Sequence, residues 1–275
     1  MLINSGSLGV LHITAFVAIV CVLGAMAPKR TAEFVFVETT NATGWSNNGV
    51  AWLIGLLSTT YSMLGYDAAT HLSEELPEPK KNVPLAMVGS VVVNGVIGFV
   101  YCIVLLFSLG DLDTVLASPT GFPFIQVFLD TTKSSAGTTI MTLLISLIAV
   151  AANAAGLTST SRTFWALARD NAIPKASYFA HVDPKLRVPV RMIVLISILQ
   201  FLLGFIYLGN STAFNAVLSM AILGMYLSYL LPIVYMLLYG RKRGAHEPGP
   251  FKLGRTGAAI NIAAICWIIL AMFFK

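Results

Sequence analysis

Residues 50–84 read VAWLIGLLSTTYSMLGYDAATHLSEELPEPKKNVP. The run begins apolar enough to enter a bilayer, yet its middle carries Gly65-Tyr66-Asp67, then His71, then Glu74-Glu75. A charge at the centre of a membrane helix costs about 2.5–3.5 kcal/mol on insertion scales, so groups kept there line a path or a site. Gly65 is permissive in backbone angle and a poor helix former. Asp67 is a good N-cap, which predicts a break near the midplane and a second helical segment from Ala68 to a point before Pro77. Two half-helices with an unwound joint present carbonyls from the first and amides from the second, suited to a cation and an anion respectively. Irregular backbone at that depth survives only where it faces protein or a water-filled cavity, and such discontinuous helices mark substrate sites in secondary transporters.

The surrounding sequence supplies a membrane scaffold. Hydrophobic residues make up 57% of the 275-residue chain and charged ones only 11%, with a mean hydropathy of +0.81. A soluble domain carries about 25% charged residues, so the composition predicts an all-α integral membrane protein. Seven apolar stretches, near residues 8–27, 50–72, 84–109, 138–158, 188–208, 213–238 and 257–274, are each long enough to cross about 30 Å of hydrocarbon. They are read as one transmembrane domain over residues 1–275. Cys21, Cys102 and Cys266 all fall inside these stretches, which favours free thiols over a disulfide framework.

Lys and Arg set the orientation. The connections after the second, fourth and sixth stretches hold thirteen of them, against three after the first, third and fifth. The first group is therefore placed in the cytoplasm, and the net charge of +5 is a topological signal rather than a nucleic-acid footprint. Two N-glycosylation sequons, at Asn41 and Asn210, fall on the predicted outer side and agree with that orientation. Asn210 sits close to the end of the fifth stretch, at the edge of what the glycosyl machinery reaches.

The segments 65–75 (GYDAATHLSEE) and 79–84 (PKKNVP) resemble the fungal amino-acid/choline permease family, 4-aminobutyrate permeases included, of the amino acid–polyamine–organocation superfamily. Residues 161–174, from Ser161-Arg162 to Ile173-Pro174, are similar to the cytoplasmic segment after the eighth helix of those permeases, and Arg187-Val188-Pro189 to the entry of the ninth. The resemblance implies a leucine-transporter-like fold of twelve helices with inverted repeats, in which these seven stretches match helices five to eleven and the broken one is the sixth. The chain opens almost directly on a span and closes within another, and so reads as part of a larger transporter whose earlier helices supply the rest of the site. The resemblance also implies a secondary active permease of amino acids or related small amines such as 4-aminobutyrate or choline, working by alternating access and driven by protons. No cofactor is expected, and no glycine-rich nucleotide loop suggests ATP-driven pumping.

The candidate substrate-facing residues are Gly65, Tyr66, Asp67, Thr70, Asn153 and Tyr226, and the candidate gating or proton-coupling residues are His71, Glu74, Glu75 and Arg169. Each has a structural alternative. Asp67 either caps the second segment or meets a substrate ammonium, and Tyr66 either packs or walls the ligand. His71 lies four residues after Asp67 and three before Glu74, a ladder that either moves protons and locks a gate or forms a satisfied polar network. Asn153 and Tyr226 face a cavity or hold neighbouring helices together. Arg169 pairs with Glu74 or Glu75, or belongs to a solvated stretch lying along the membrane. Two other readings of the chain are a non-transporting remnant or regulatory partner, and an intramembrane metalloenzyme with His71 and Glu74 as ligands. The expected partners are a small amine or amino acid and membrane lipid, together with any missing N-terminal helices. The expected location is the plasma membrane, with the vacuole or another endomembrane as the alternative.

Overall fold

A computed structural model describes residues 5–41, 43–74, 76–240 and 249–274 of the chain. The helices in chain order are α1 (Ser5–Met26), α2 (Ala32–Phe36), α3 (Asn48–Ser62), α4 (Pro79–Phe107), α5 (Leu112–Leu116), α6 (Pro123–Thr132), α7 (Ser135–Arg169), α8 (Ala176–Phe179), α9 (Val190–Gly209), α10 (Ser211–Tyr235) and α11 (Gly257–Phe274). A 3₁₀ helix, Tyr66–Leu72, follows α3, and a π-helical turn, Met236–Gly240, follows α10. Among the described residues there is no strand.

Six of the helical stretches are long and apolar enough to cross a membrane. The seventh predicted span is the one that fails the length test, because α3 is only 15 residues long and ends at Ser62. The protein is an integral, multi-pass membrane protein built almost wholly of helix. Its three cysteines are free.

The chain falls into two compact units, one made of residues 1–40 and 90–156, the other of residues 41–89 and 157–275. In the first unit, Leu23 of α1 and Phe128 of α6 are fully buried, and Ile19, Val115, Val127 and Met141 close the core around them. Backbone carbonyls here accept from basic side chains. Lys29 Nζ donates to the Leu23 carbonyl at 2.6 Å, while Arg30 donates through Nε to the Leu109 carbonyl at 3.0 Å and through Nη2 to that of Gly110. Two of the three basic residues on the predicted outer side are thus committed to backbone carbonyls.

In the second unit, Ile222 and Tyr226 of α10 are buried against Ile268 and Ala271 of α11, with Leu64 and Tyr229 packed on the same cluster. Pro232 lies inside α10, where it offers no amide donor and crowds the preceding turn. The helix widens into the π-helical turn at Met236 directly afterwards. The irregularity after Pro232 takes the form of a change in helix pitch.

One expectation is corrected by the length of α7. Arg169 does not belong to a separate stretch lying along the membrane: α7 runs 35 residues without interruption to Arg169. At 1.5 Å per residue that is about 52 Å, well beyond the hydrocarbon thickness, so its polar end projects past the apolar zone.

Candidate functional site

The break falls where the sequence places it and takes a different form. α3 stops at Ser62, a turn covers Met63 to Gly65, and the 3₁₀ helix begins at Tyr66. Gly65 adopts φ 90° and ψ 3°, a left-handed conformation that L side chains adopt only with strain. The backbone turns there, two residues before Asp67. Asp67 is consequently not the N-cap: Gly65 occupies that position, and no side chain caps the segment. The second half is also shorter and tighter than expected, seven residues of 3₁₀ helix instead of an α-helix running towards Pro77. Its short dipole offers little to an anion, so the chemistry falls to the side chains.

Freed from capping, Asp67 turns to His71. Its Oδ2 lies 3.4 Å from His71 Nε2, with the two side chains only 19% and 33% exposed. Thr70 donates its hydroxyl to the Asp67 carbonyl at 2.7 Å, which tightens the same turn.

The 3₁₀ segment presents its two ends to different surroundings. At its start, Tyr66 lies against Tyr229 of α10 with ring centroids 5.7 Å apart. These two rings, with Tyr226 and with Trp267 of α11, line a recess of about 330 Å³. The Tyr229 hydroxyl is buried with no hydrogen-bond partner at normal geometry, and Asp67 and Tyr66 are among its neighbours. At the other end, Thr70, His71 and Glu74 line a polar cavity of about 270 Å³ with Arg162, Trp165 and Asp170 of α7 and its C-terminal turn.

Arg169 pairs with two of the residues that line this cavity, Glu74 and Asp170. Its Nη1 donates to both carboxylate oxygens of Glu74, at 3.2 and 3.1 Å. Its Nε reaches Asp170 at 3.3 Å, and its guanidinium lies 5.2 Å from the centre of the Trp165 ring. Trp165 is itself fixed by donating its indole N–H to the Ala180 carbonyl at 2.9 Å. Of the two pairings foreseen for Arg169, the one with Glu74 forms, while Glu75 lies outside the described residues.

The structure therefore gathers Gly65, Tyr66, Asp67, Thr70, His71, Glu74, Arg169 and Tyr226 in one unit. Asn153 stands in the other unit, exposed on α7. The metal reading loses its pair, because His71 turns to Asp67 and Glu74 to Arg169. Among the described residues, no three His, Cys, Asp or Glu side chains converge. Tyr229, Trp165 and Trp267 went unassigned to the site in the sequence. The spacing of Tyr226, Tyr229 and Ile233 on α10 was the available signal, since residues three and four apart share a helix face. It points to a face without saying what that face meets.

Both sequons are described at their asparagines. Asn41 is exposed and donates through Nδ2 to the Trp45 carbonyl at 2.8 Å, while Thr43 donates its hydroxyl to Asn41 Oδ1 at 2.7 Å. Asn210 caps α10, its Oδ1 accepting from the amides of Thr212 at 2.9 Å and Ala213 at 3.1 Å.

The family model for amino acid permeases matches residues 2–275. A Macrophomina phaseolina protein named for amino acid/polyamine transport is 35% identical over 260 residues, covering 94% of this chain and 57% of that protein. The choline transporter of Saccharomyces cerevisiae is 33% identical over 275 residues, with 99% of this chain and 48% of the transporter covered. The GABA-specific permease of the same yeast is 30% identical over 254 residues, with coverages of 90% and 44%. The chain spans about half the length of the curated relatives it matches. A broken membrane helix with an acidic group at the break, and a family match running almost from end to end, agree: the chain belongs to the amino acid permease family.

Proposed function

We propose that the chain takes part in secondary active transport of amino acids or related small amines, 4-aminobutyrate and choline among them, by alternating access around the break at Gly65. The single observation that carries this reading is the interruption itself. A helix that changes pitch at a left-handed glycine, with a carboxylate two residues on, supports the reading of Asp67 as the partner of a substrate ammonium. Tyr66 and Tyr226 provide aromatic faces at the start of the same segment, which suit the body of a small organic cation. His71 is the proposed site of proton coupling, and Glu74 with Arg169 the proposed gate on the predicted cytoplasmic side. Relatives named for choline and 4-aminobutyrate support the amine class. The plasma membrane, or else an endomembrane such as the vacuole, is the proposed location.

Uptake tests this. Cells lacking their own amine permeases, expressing the protein, are offered labelled 4-aminobutyrate, choline and a basic amino acid at about pH 5 and about pH 7.5, either side of the ordinary imidazole value. The expected result is uptake of at least one solute that changes with pH and is lost in Asp67→Asn. Uptake of none, at either pH, with the protein present in the membrane, refutes the transport reading.

A further inference from the structure

We propose that His71 is the resting occupant of the amine site: its protonated ring pairs with the Asp67 carboxylate until a substrate ammonium displaces it, so that each ammonium bound expels one proton. The inference rests on the reading of Asp67 as the partner of the amine.

The geometry brings Nε2 of His71 to 3.4 Å from Asp67 Oδ2, the Asp67 side chain being half-buried and His71 exposed. Among the described residues, His71 is the one group able to carry positive charge at that distance from Asp67. The other ionisable neighbours of this corner are the phenols Tyr66, Tyr226 and Tyr229, which can donate hydrogen bonds but supply no cation. His71 also lines the polar cavity, together with Glu74 just past the 3₁₀ helix, Arg162 of α7 and Asp170 directly after α7. Arg169 is held by Glu74 and Asp170. His71 thus stands between a carboxylate at the helix break and a charged cavity through which a proton can leave.

An unpaired carboxylate at the break would bear the full cost of a charge out of water. A histidinium on Asp67 removes it, and so does a bound ammonium, but both at once would leave a net positive charge. The exchange therefore keeps the site neutral in either state. The Nε2–H bond breaks, its electron pair stays on the ring nitrogen, the proton passes to water in the cavity, and the ammonium takes the vacated place on Asp67. One cation enters and one proton leaves.

Choline is the first probe, because its ammonium carries no titratable proton and any proton released comes from the protein. The chain is reconstituted in lipid vesicles, and choline binding and proton release are followed together in weakly buffered medium containing a pH indicator. Release should approach one proton per choline on the acid side of the ordinary imidazole value, roughly 6.5. Apparent choline affinity should rise by up to about tenfold per pH unit there and level off above it. In His71→Gln, choline should bind without proton release and with no pH slope in that range. A merely structural role for His71 would weaken binding equally at every pH and leave the slope in place. Choline or 4-aminobutyrate binding without proton release, or a slope that survives in His71→Gln, overturns the inference while leaving the transport reading standing. A chain that binds neither solute removes the amine reading of Asp67 and this inference with it.

Discussion

Arg169 grips Glu74 with one nitrogen, Nη1 lying 3.2 and 3.1 Å from the two carboxylate oxygens of a residue 95 positions earlier. The pair ties the end of the broken span to the end of α7. It is a wet contact, the Glu74 side chain being 66% exposed and that of Arg169 44%.

Exposed ion pairs contribute little to stability, and this one should be no exception. A double-mutant cycle with Glu74→Gln and Arg169→Gln is expected to give little coupling in unfolding. It should shrink further in salt approaching about 1 M, where the screening length is near 3 Å. If the pair works as the gate, either single variant should change uptake far more than it changes stability. A coupling in unfolding as large as the effect on uptake would show that the pair holds the fold instead.

Gly65 tests the break. A Cβ built there meets nothing within 4 Å, so a substitution is opposed by backbone strain at φ 90° and not by a clash. Gly65→Ala is expected to cost about 1–2 kcal/mol, and Gly65→Val more, because β-branching narrows the accessible angles further. Thermal unfolding in vesicles should rank the variants Gly, Ala, Val. Equal stability for all three would mean that the left-handed turn is not required.

Asp111 gives acid sensitivity to the first unit. It caps α5, its Oδ2 accepting from the Thr114 hydroxyl at 2.7 Å and the Thr114 amide at 3.1 Å. Those bonds hold its carboxyl below the usual range, the Thr114 hydroxyl contributing most. The folded value lies under the unfolded one, so the stabilisation is complete above the ordinary carboxylate value and drains away as pH falls through the depressed one. Unfolding temperature should therefore fall below about pH 4 in the parent and fall less in Asp111→Asn, which keeps an acceptor but cannot titrate. The same acid loss in both would place the effect elsewhere.

The two sequons should behave differently. Asn41→Gln is expected to abolish any glycan-dependent shift in gel mobility that endoglycosidase removes. Asn210→Ala should leave that shift intact and instead lower stability by about 1 kcal/mol, the usual worth of an N-cap, since Asn210 caps α10. A glycan on Asn210 in the parent would contradict this assignment.

The break and the membrane scaffold were legible in the sequence because both follow from local chemistry. Glycine beside aspartate within an apolar run marks a place where a lipid-embedded helix cannot comfortably continue. The form of the break was less legible. Asp67 is a natural cap when read alone, yet Gly65 turns the backbone first and leaves the carboxylate to His71. The extent of α7 was hidden for a related reason: hydropathy marks where lipid ends and says nothing of where a helix ends, so Arg169 looked like part of a loop.

The amino-acid sequence by itself determined that this chain enters a membrane and that its second span breaks at Gly65. Each of these depends on how a short stretch partitions between lipid and water, or on what one residue's backbone tolerates. Only the tertiary structure decided that Glu74 meets Arg169, that Tyr66 meets Tyr229, and that Trp267 closes the recess beside them. Those contacts join residues far apart in the chain, and packing between helices selects them by shape and distance that no local pattern encodes.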